Sequence, residues 1–351
     1  MRAHRRHGLM AILFCLFATV LAGCMFQGEK ETAKQIDPPP EMTIEKQPSD
    51  GEGSGEEGAN TPDVREVYLL DANGYVVPQT LPLPATDEVA KQALEYMVTG
   101  GPVTELLPNG FQAVLPQGTV INGVDIREDG TAVVDFSNEF ASYAPESERQ
   151  ILEAITWTLT QFDTIDKVNI WINGFEQDVM PVNHEPIHGG VTREMGINIQ
   201  SSDVTDIRSS EPVTVYYVAQ HDKTSYYVPV TKRVDSDRLE TEEETAQTIV
   251  EELVKGPGFE TSLLTGFHPD TELTANPEID AGTVYLQFTA AVLSGNEQPG
   301  LSNQVLEPLV LSLTEVGDVK QVSVDVNSSE EGDLVVEEVV SRPAVTNQGK
   351  F

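Results

Sequence analysis

Cysteine is nearly absent from this chain. There are two, Cys15 and Cys24, both near the start. Nothing beyond residue 24 can therefore form a disulfide, ligate a metal through sulfur or act as a thiol nucleophile. Basic residues are also scarce: 21 Lys and Arg stand against 57 Asp and Glu, for a formal charge of -36. A protein of that sign repels phosphate backbones and anionic surfaces, which excludes nucleic-acid binding. Signature motifs are missing too, with no Gly-rich phosphate loop and no Gly-x-Ser-x-Gly elbow. His184-Glu185-Pro186-Ile187-His188 fits the spacing H-E-x-x-H. Zinc chemistry needs both histidines one helical turn apart, and Pro186 followed by Gly189-Gly190 breaks such a turn. That stretch is expected to be an exposed loop without metal. His221 and His268 sit in no motif, and Asp135 lacks a partner carboxylate; it is expected to accept a hydrogen bond at a strand end. The expectation is no catalytic, cofactor-binding or metal-binding residue, and no enzyme.

What is present begins at the N-terminus. A basic start, Met1-Arg2-Ala3-His4-Arg5-Arg6-His7, precedes an apolar run at 9–20 and then Leu21-Ala22-Gly23-Cys24. The order is that of a secretory signal, and the run is too short to span a bilayer comfortably. The last four residues resemble the lipobox of bacterial lipoproteins. The resemblance implies cleavage of a signal peptide at 1–23, acylation (palmitate) of Cys24 and a lipid anchor on the extracytoplasmic face of the cell membrane. Residues 24–63 read as an acidic spacer, with Pro38-Pro39-Pro40 and a Gly/Glu/Ser run at 49–58 that has too little apolar surface to pack. As a flexible coil it would reach on the order of 35 Å.

The rest of the chain repeats itself. Val67-Tyr68-Leu69-Leu70 and Tyr75-Val76-Val77-Pro78 match Val215-Tyr216-Tyr217-Val218 and Tyr226-Tyr227-Val228-Pro229. Each pair predicts two strands around a turn, with Asn73-Gly74 as a hairpin signal. Ala90, Ala93, Leu94 and Met97 predict a helix that Thr86 or Asp87 can cap, matched by Ala246, Ile249, Val250 and Leu253; both helices are expected to stop at Gly-Pro, Gly101-Pro102 and Gly256-Pro257. A strand is expected at 111–115, then a hairpin around Asp129-Gly130 or Ala281-Gly282. A second helix follows, with a kink at Pro308, and a last strand at 168–172 or 322–326. The fold class is α+β, two tandem copies of a ββαβββαβ domain with two helices on one face of a mixed sheet. Each copy is expected to own its core. The boundaries are 64–180 for domain 1, 181–211 for a connector, 212–330 for domain 2 and 331–351 for a tail.

Val67-Tyr68, Val77-Pro78, Gly101-Pro102, Asp135-Phe136-Ser137 and Thr158-Leu159-Thr160-Gln161-Phe162 resemble the GerMN domain. The resemblance covers nearly all of 64–330. It implies a fold similar to the ring-building motif of sporulation channel proteins, in a lipoprotein of endospore-forming bacteria concerned with sporulation and germination. It further implies assembly work between mother-cell and forespore membranes, with other sporulation envelope proteins (a channel or engulfment complex) or the chain itself as partners. Copy two departs from the pattern, with Gln287 for Asp135, Glu315-Val316 for Gln161-Phe162, and Pro308 inserted. Three readings are open: a non-catalytic scaffold; a cell-envelope (peptidoglycan) ligand-binding module, for which Tyr216, Tyr217, Tyr226 and Tyr227 form an aromatic cluster although alternation places half of them in the core; and, last, a hydrolase.

Overall fold

The computed structural model describes residues 63–200, 207–294, 300–327 and 334–347. The expected signal peptide, Cys24 and the spacer up to residue 62 lie outside the described residues.

Repeat one opens with the antiparallel hairpin β1 (Asp63–Leu70) and β2 (Val76–Leu83). Asp71 makes its turn. One carboxylate oxygen accepts the N–H groups of Asn73 and Tyr75, and Gly74 takes φ +82°. Helix α1 (Val89–Glu95) follows, with Thr86 Oγ1 accepting from Glu88 N ahead of it. The helix stops well before Gly101, because the Met97 carbonyl accepts from both Val114 and Leu115. That pairing also explains why 111–115 is not a strand: it contributes only the bridges Leu70–Gln112 and Val98–Leu115. Strands β3 (Ile121–Ile126) and β4 (Thr131–Phe136) are antiparallel. The crossover helix α2 (Glu148–Leu159) returns the chain to β5 (Lys167–Ile172), parallel to β4. The two-residue β6 (Phe175–Glu176) closes this sheet. Leu94 of α1 and Ile151 and Ile155 of α2 share one core with Val67, Leu81, Val134 and Ile170. Each such side chain stabilises the fold by roughly 1.5–3 kcal/mol.

Repeat two has the same order. Strands β7 (Ser210–His221) and β8 (Thr224–Asp235) form the hairpin. Helix α3 (Glu242–Lys255) starts on a capping box, Thr241 with Glu244, and ends on Gly256 at φ +84°. Strands β9 (Glu278–Asp280) and β10 (Thr283–Thr289) precede helix α4 (Asn303–Leu313) and β11 (Gln321–Asn327), again parallel to its predecessor. Helix α4 continues through Pro308. Proline cannot donate to the carbonyl four residues back, that of Gln304, and Gly266 packs on that carbonyl where a Cβ would come within 2.3 Å.

Three further expectations need correcting. The tail at 331–351 contains an eight-residue strand, β12 (Leu334–Ser341), antiparallel to β11 and adding half-buried Val336 and Val340 to the core. The connector at 181–211 is likewise built into the fold: Ile187, Val191 and Ile197 are buried in the repeat-one core. Nor are the cores separate, since Val77 of β2 belongs to the core of repeat two, among Val228, Val230 and Tyr217.

Candidate functional site: the joint between repeats

A cluster of buried and half-buried polar groups lies where the repeats meet, and it follows a pseudo-two-fold pattern. Val191 pairs with Val168 as Val340 pairs with Val322, so the segments after each repeat are themselves repeats. Arg193 then corresponds to Arg342, and Asn198 to Asn347.

Asn198 accepts from Val76 N at 2.9 Å and donates to the carbonyls of Val76 and Pro229, both at 2.8 Å. Asn347 accepts from Tyr227 N at 2.7 Å and donates to the carbonyls of Tyr227 at 2.7 Å and Pro78 at 2.9 Å. Val76 and Tyr227 are equivalent, as are Pro78 and Pro229, so the two amides make one reciprocal clasp across β2 and β8. Both asparagines take positive φ, 47° and 54°, a conformation asparagine tolerates better than most side chains.

The hairpin tips are exchanged as well. Tyr226 donates to Asp71 Oδ2 at 2.8 Å and packs edge-on against Phe111 at 5.1 Å. Asn109 reaches Asp222 at 2.7 Å, and Gly110 lies against the His221 ring, where a Cβ would stand 2.6 Å away.

A charged keystone lies next to the clasp. Arg193 Nη1 donates to Glu315 Oε2 at 3.2 Å and Arg342 Nη2 to Glu315 Oε1 at 2.8 Å. Each guanidinium also reaches the threonine ending its own repeat's second helix: Arg193 Nε to Thr160 Oγ1, and Arg342 Nη1 to Thr314 Oγ1. Arg193 stacks 4.4 Å from the Trp157 centroid, while Arg342 lies 6.0 Å from that of Tyr216. Gln161 occupies the position in repeat one that Glu315 holds in repeat two, so one carboxylate serves two cations. Burial pushes the Glu315 carboxyl up, but Arg342 and Arg193 beside it hold it below the usual carboxylate range. Burial pushes Glu66 up, against the Thr346 N–H that its Oε1 accepts and the same arginines. A cleft of about 880 Å³ opens here, lined in part by Glu66, Tyr68, Arg193, Glu315, Lys320 and Arg342.

The residues singled out for chemistry in the sequence are held in structural bonds. The 184–188 motif is not helical, and His184 has φ +62°. Glu185 accepts from Arg149, and its N–H donates to Glu148 at 3.0 Å, alongside those of Val182 and Asn183. Burial acts to raise the Glu148 pKa, yet these N–H groups bring it below its ordinary value. His188 pairs with Asp178 at 2.7 Å on the surface. Asp135 accepts from Gly174 N at 2.8 Å and Asn122 at 3.3 Å, pinning the β5–β6 turn. His221 sits at the second hairpin tip, and His268 accepts from Asp270 N on the surface. Among the described residues, no group of three or more His, Cys, Asp or Glu could hold a metal.

A family model described as "Germane: Sporulation and spore germination" matches residues 66–178 and 214–332. The chain belongs to this family. It is 44% identical over 359 residues to the spore germination protein GerM of Bacillus subtilis (strain 168), covering 95% of this chain and 96% of that protein. The solved tandem GerMN domains of the sporulation protein GerM from Bacillus subtilis are similar at a TM-score of 0.75 and 48% identity, over 83% of this chain and 100% of that one. The two repeats here are tandem GerMN domains. The family match stops at 178 and at 332, ahead of both clasp segments. Sequence reasoning missed those segments, although Val191-Thr192-Arg193 with Asn198 and Val340-Ser341-Arg342 with Asn347 repeat at the same spacing.

Proposed function

We propose that this chain is a non-catalytic scaffold acting in sporulation, and thereby germination. It is tethered by a lipid on Cys24 to the outer face of the membrane and works through contacts with other envelope proteins. The observation that carries the reading is the joint itself. Two domains are fastened by the Asn198–Asn347 clasp and the shared Glu315, which holds the two repeats in a defined relation, while Glu148, Glu185 and Asp135 are engaged in holding loops. Family membership supports the process; the scaffold role and the anchor are our reading. Photo-crosslinking from surface positions in sporulating cells tests it. Discrete protein adducts dependent on membrane attachment are expected, and their absence at every position would sink the reading.

A second reading, a cell-envelope ligand-binding module, is favoured by the cleft at the joint. Its size is within the range of small-ligand sites. Saturable binding of soluble peptidoglycan fragments, lost in Arg342→Ala, would support it.

A further inference from the structure

The two repeats differ at one sheet edge. In repeat one, β5 is flanked by the two-residue β6 and by Val191 alone, with the loop that Glu148 pins between them. In repeat two the same edge is the continuous strand β12, and among the described residues no strand pairs with its outer side. Arg342 N donates to Lys320 O at 3.2 Å, so Arg342 faces β11. Alternation along an antiparallel strand then turns the N–H and C=O of Ser341, Val339 and Glu337 outward. An edge of this length is a template for strand addition.

Charge identifies what would fit. Asp325 and Glu337 stand directly opposite each other in register. They belong to a non-hydrogen-bonded pair, the type with the closer side chains, and like charges there repel. Gln287 completes the row across the sheet. Val339 is 58% exposed beside them. A second copy is a poor occupant, because β12 carries two acids, Glu337 and Glu338, and no Lys or Arg to meet the Asp325–Glu337 pair.

We propose that the outer edge of β12 docks an extended, basic segment of a partner protein. The segment adds as a fifth strand, bonded to the backbones of Glu337, Val339 and Ser341, and places a Lys or Arg beside the Asp325–Glu337 pair. The proposal rests on the scaffold reading for the occupant being a protein.

The test uses the full chain in detergent and two labelled synthetic peptides of equal length, one alternating Val with Lys, the other Val with Glu. The basic peptide should bind, and the acidic one should not. Val339→Pro deletes one outward N–H without touching the β11 ladder or the charge, and should weaken binding at least about ten-fold. Val339→Ala, which keeps that N–H, should bind as the parent does. Glu337→Lys should also weaken binding and guards against a Val339→Pro chain that fails to fold. Equal binding by Val339→Pro, equal binding of the acidic peptide, or no binding at all would overturn the proposal, as would self-association abolished by Val339→Pro. Crosslinked partners in cells that persist in Val339→Pro would overturn the edge while leaving the scaffold reading intact.

Discussion

Arg193 and Arg342 donate to opposite oxygens of the one carboxylate of Glu315, and they come from equivalent positions of the two repeats. Each partner in the cluster is at most about a third exposed. Glu315→Gln would leave two guanidinium groups sharing a neutral amide. The cost should fall toward the lower end of ~3–5 kcal/mol, since the arginines keep some hydration. Urea unfolding measures it. Gln161 Nε2 donates to the carbonyls of Glu66 and Thr158, so Gln161→Glu, which cannot donate, should cost about 1–3 kcal/mol although it adds a second carboxylate; a neutral or stabilised chain would show that the added charge outweighs the lost donors.

The same cluster sets a pH dependence. Glu315 is held below its ordinary value of 4.5 in the fold. Its contribution is therefore complete above that value and is lost as pH falls through the lower folded one. Glu66 has the opposite sign, because burial raises it. Its ionisation works against the fold, so Glu66→Gln should stabilise at pH 7, with the gain fading as pH falls through the raised value. Unfolding free energies from pH 3 to 7 test both signs: Glu315→Gln should flatten the acid limb, and a Glu66→Gln chain less stable at pH 7 would refute the burial argument.

The reciprocal clasp predicts equal effects from unequal places. Asn198→Ala removes three hydrogen bonds, one of them between repeats, to Pro229 O, and Asn347→Ala near the C-terminal end removes three, one of them between repeats, to Pro78 O. Each should cost roughly 1–3 kcal/mol, because the carbonyls left behind are shielded from water. Calorimetry should show a single transition for the parent, as Val77 sits in the partner repeat's core. Two separate transitions in the parent would mean that the repeats are independent.

Local pattern made the repeats legible in sequence. The apolar spacing in Ala90, Ala93 and Leu94 and the Asn73-Gly74 turn each report a nearby bond, and each is where expected. The joint was not legible, because its bonds are long-range and its residue types are ordinary. Asn198 and Asn347 look like loop asparagines until β2 and β8 are brought together. The segment at 111–115 reads as a strand by composition, but capture of two of its N–H groups by one carbonyl at Met97 decides otherwise. The open edge of β12 was hidden by polarity: adjacent Glu337 and Glu338 interrupt the valine pairs on either side of them and break the period-two strand signal.

Glu148, rather than either histidine, governs the loop that carries the zinc-like motif. Glu148→Gln should raise amide exchange at Val182, Asn183 and Glu185 by about ten-fold or more, since a neutral amide is a weaker acceptor than a carboxylate. Replacing His184 and His188 together by Ala should leave stability unchanged and the metal content of the purified protein at background, because the proline-broken loop cannot set two imidazoles on one helical face. About one zinc per molecule in the parent, lost in the double variant, would reopen a hydrolase reading with Glu185 beside the metal.

Membrane attachment should depend on a single atom, the sulfur of Cys24. No helix among the described residues is long and apolar enough to cross a bilayer. With a formal charge of -36, the chain is repelled by anionic headgroups and has little reason to adsorb without an anchor. One acyl chain binds only marginally, whereas a second adds about 0.8 kcal/mol for each buried methylene, so attachment should be durable when more than one chain is present. Cys24→Ala should therefore move the protein from the membrane fraction to the soluble fraction without changing its thermal unfolding, because the sequence places Cys24 well ahead of both repeats. A Cys24→Ala protein that stays with membranes after a high-salt wash would show that another part of the chain holds it there, and the lipid anchor would have to be abandoned.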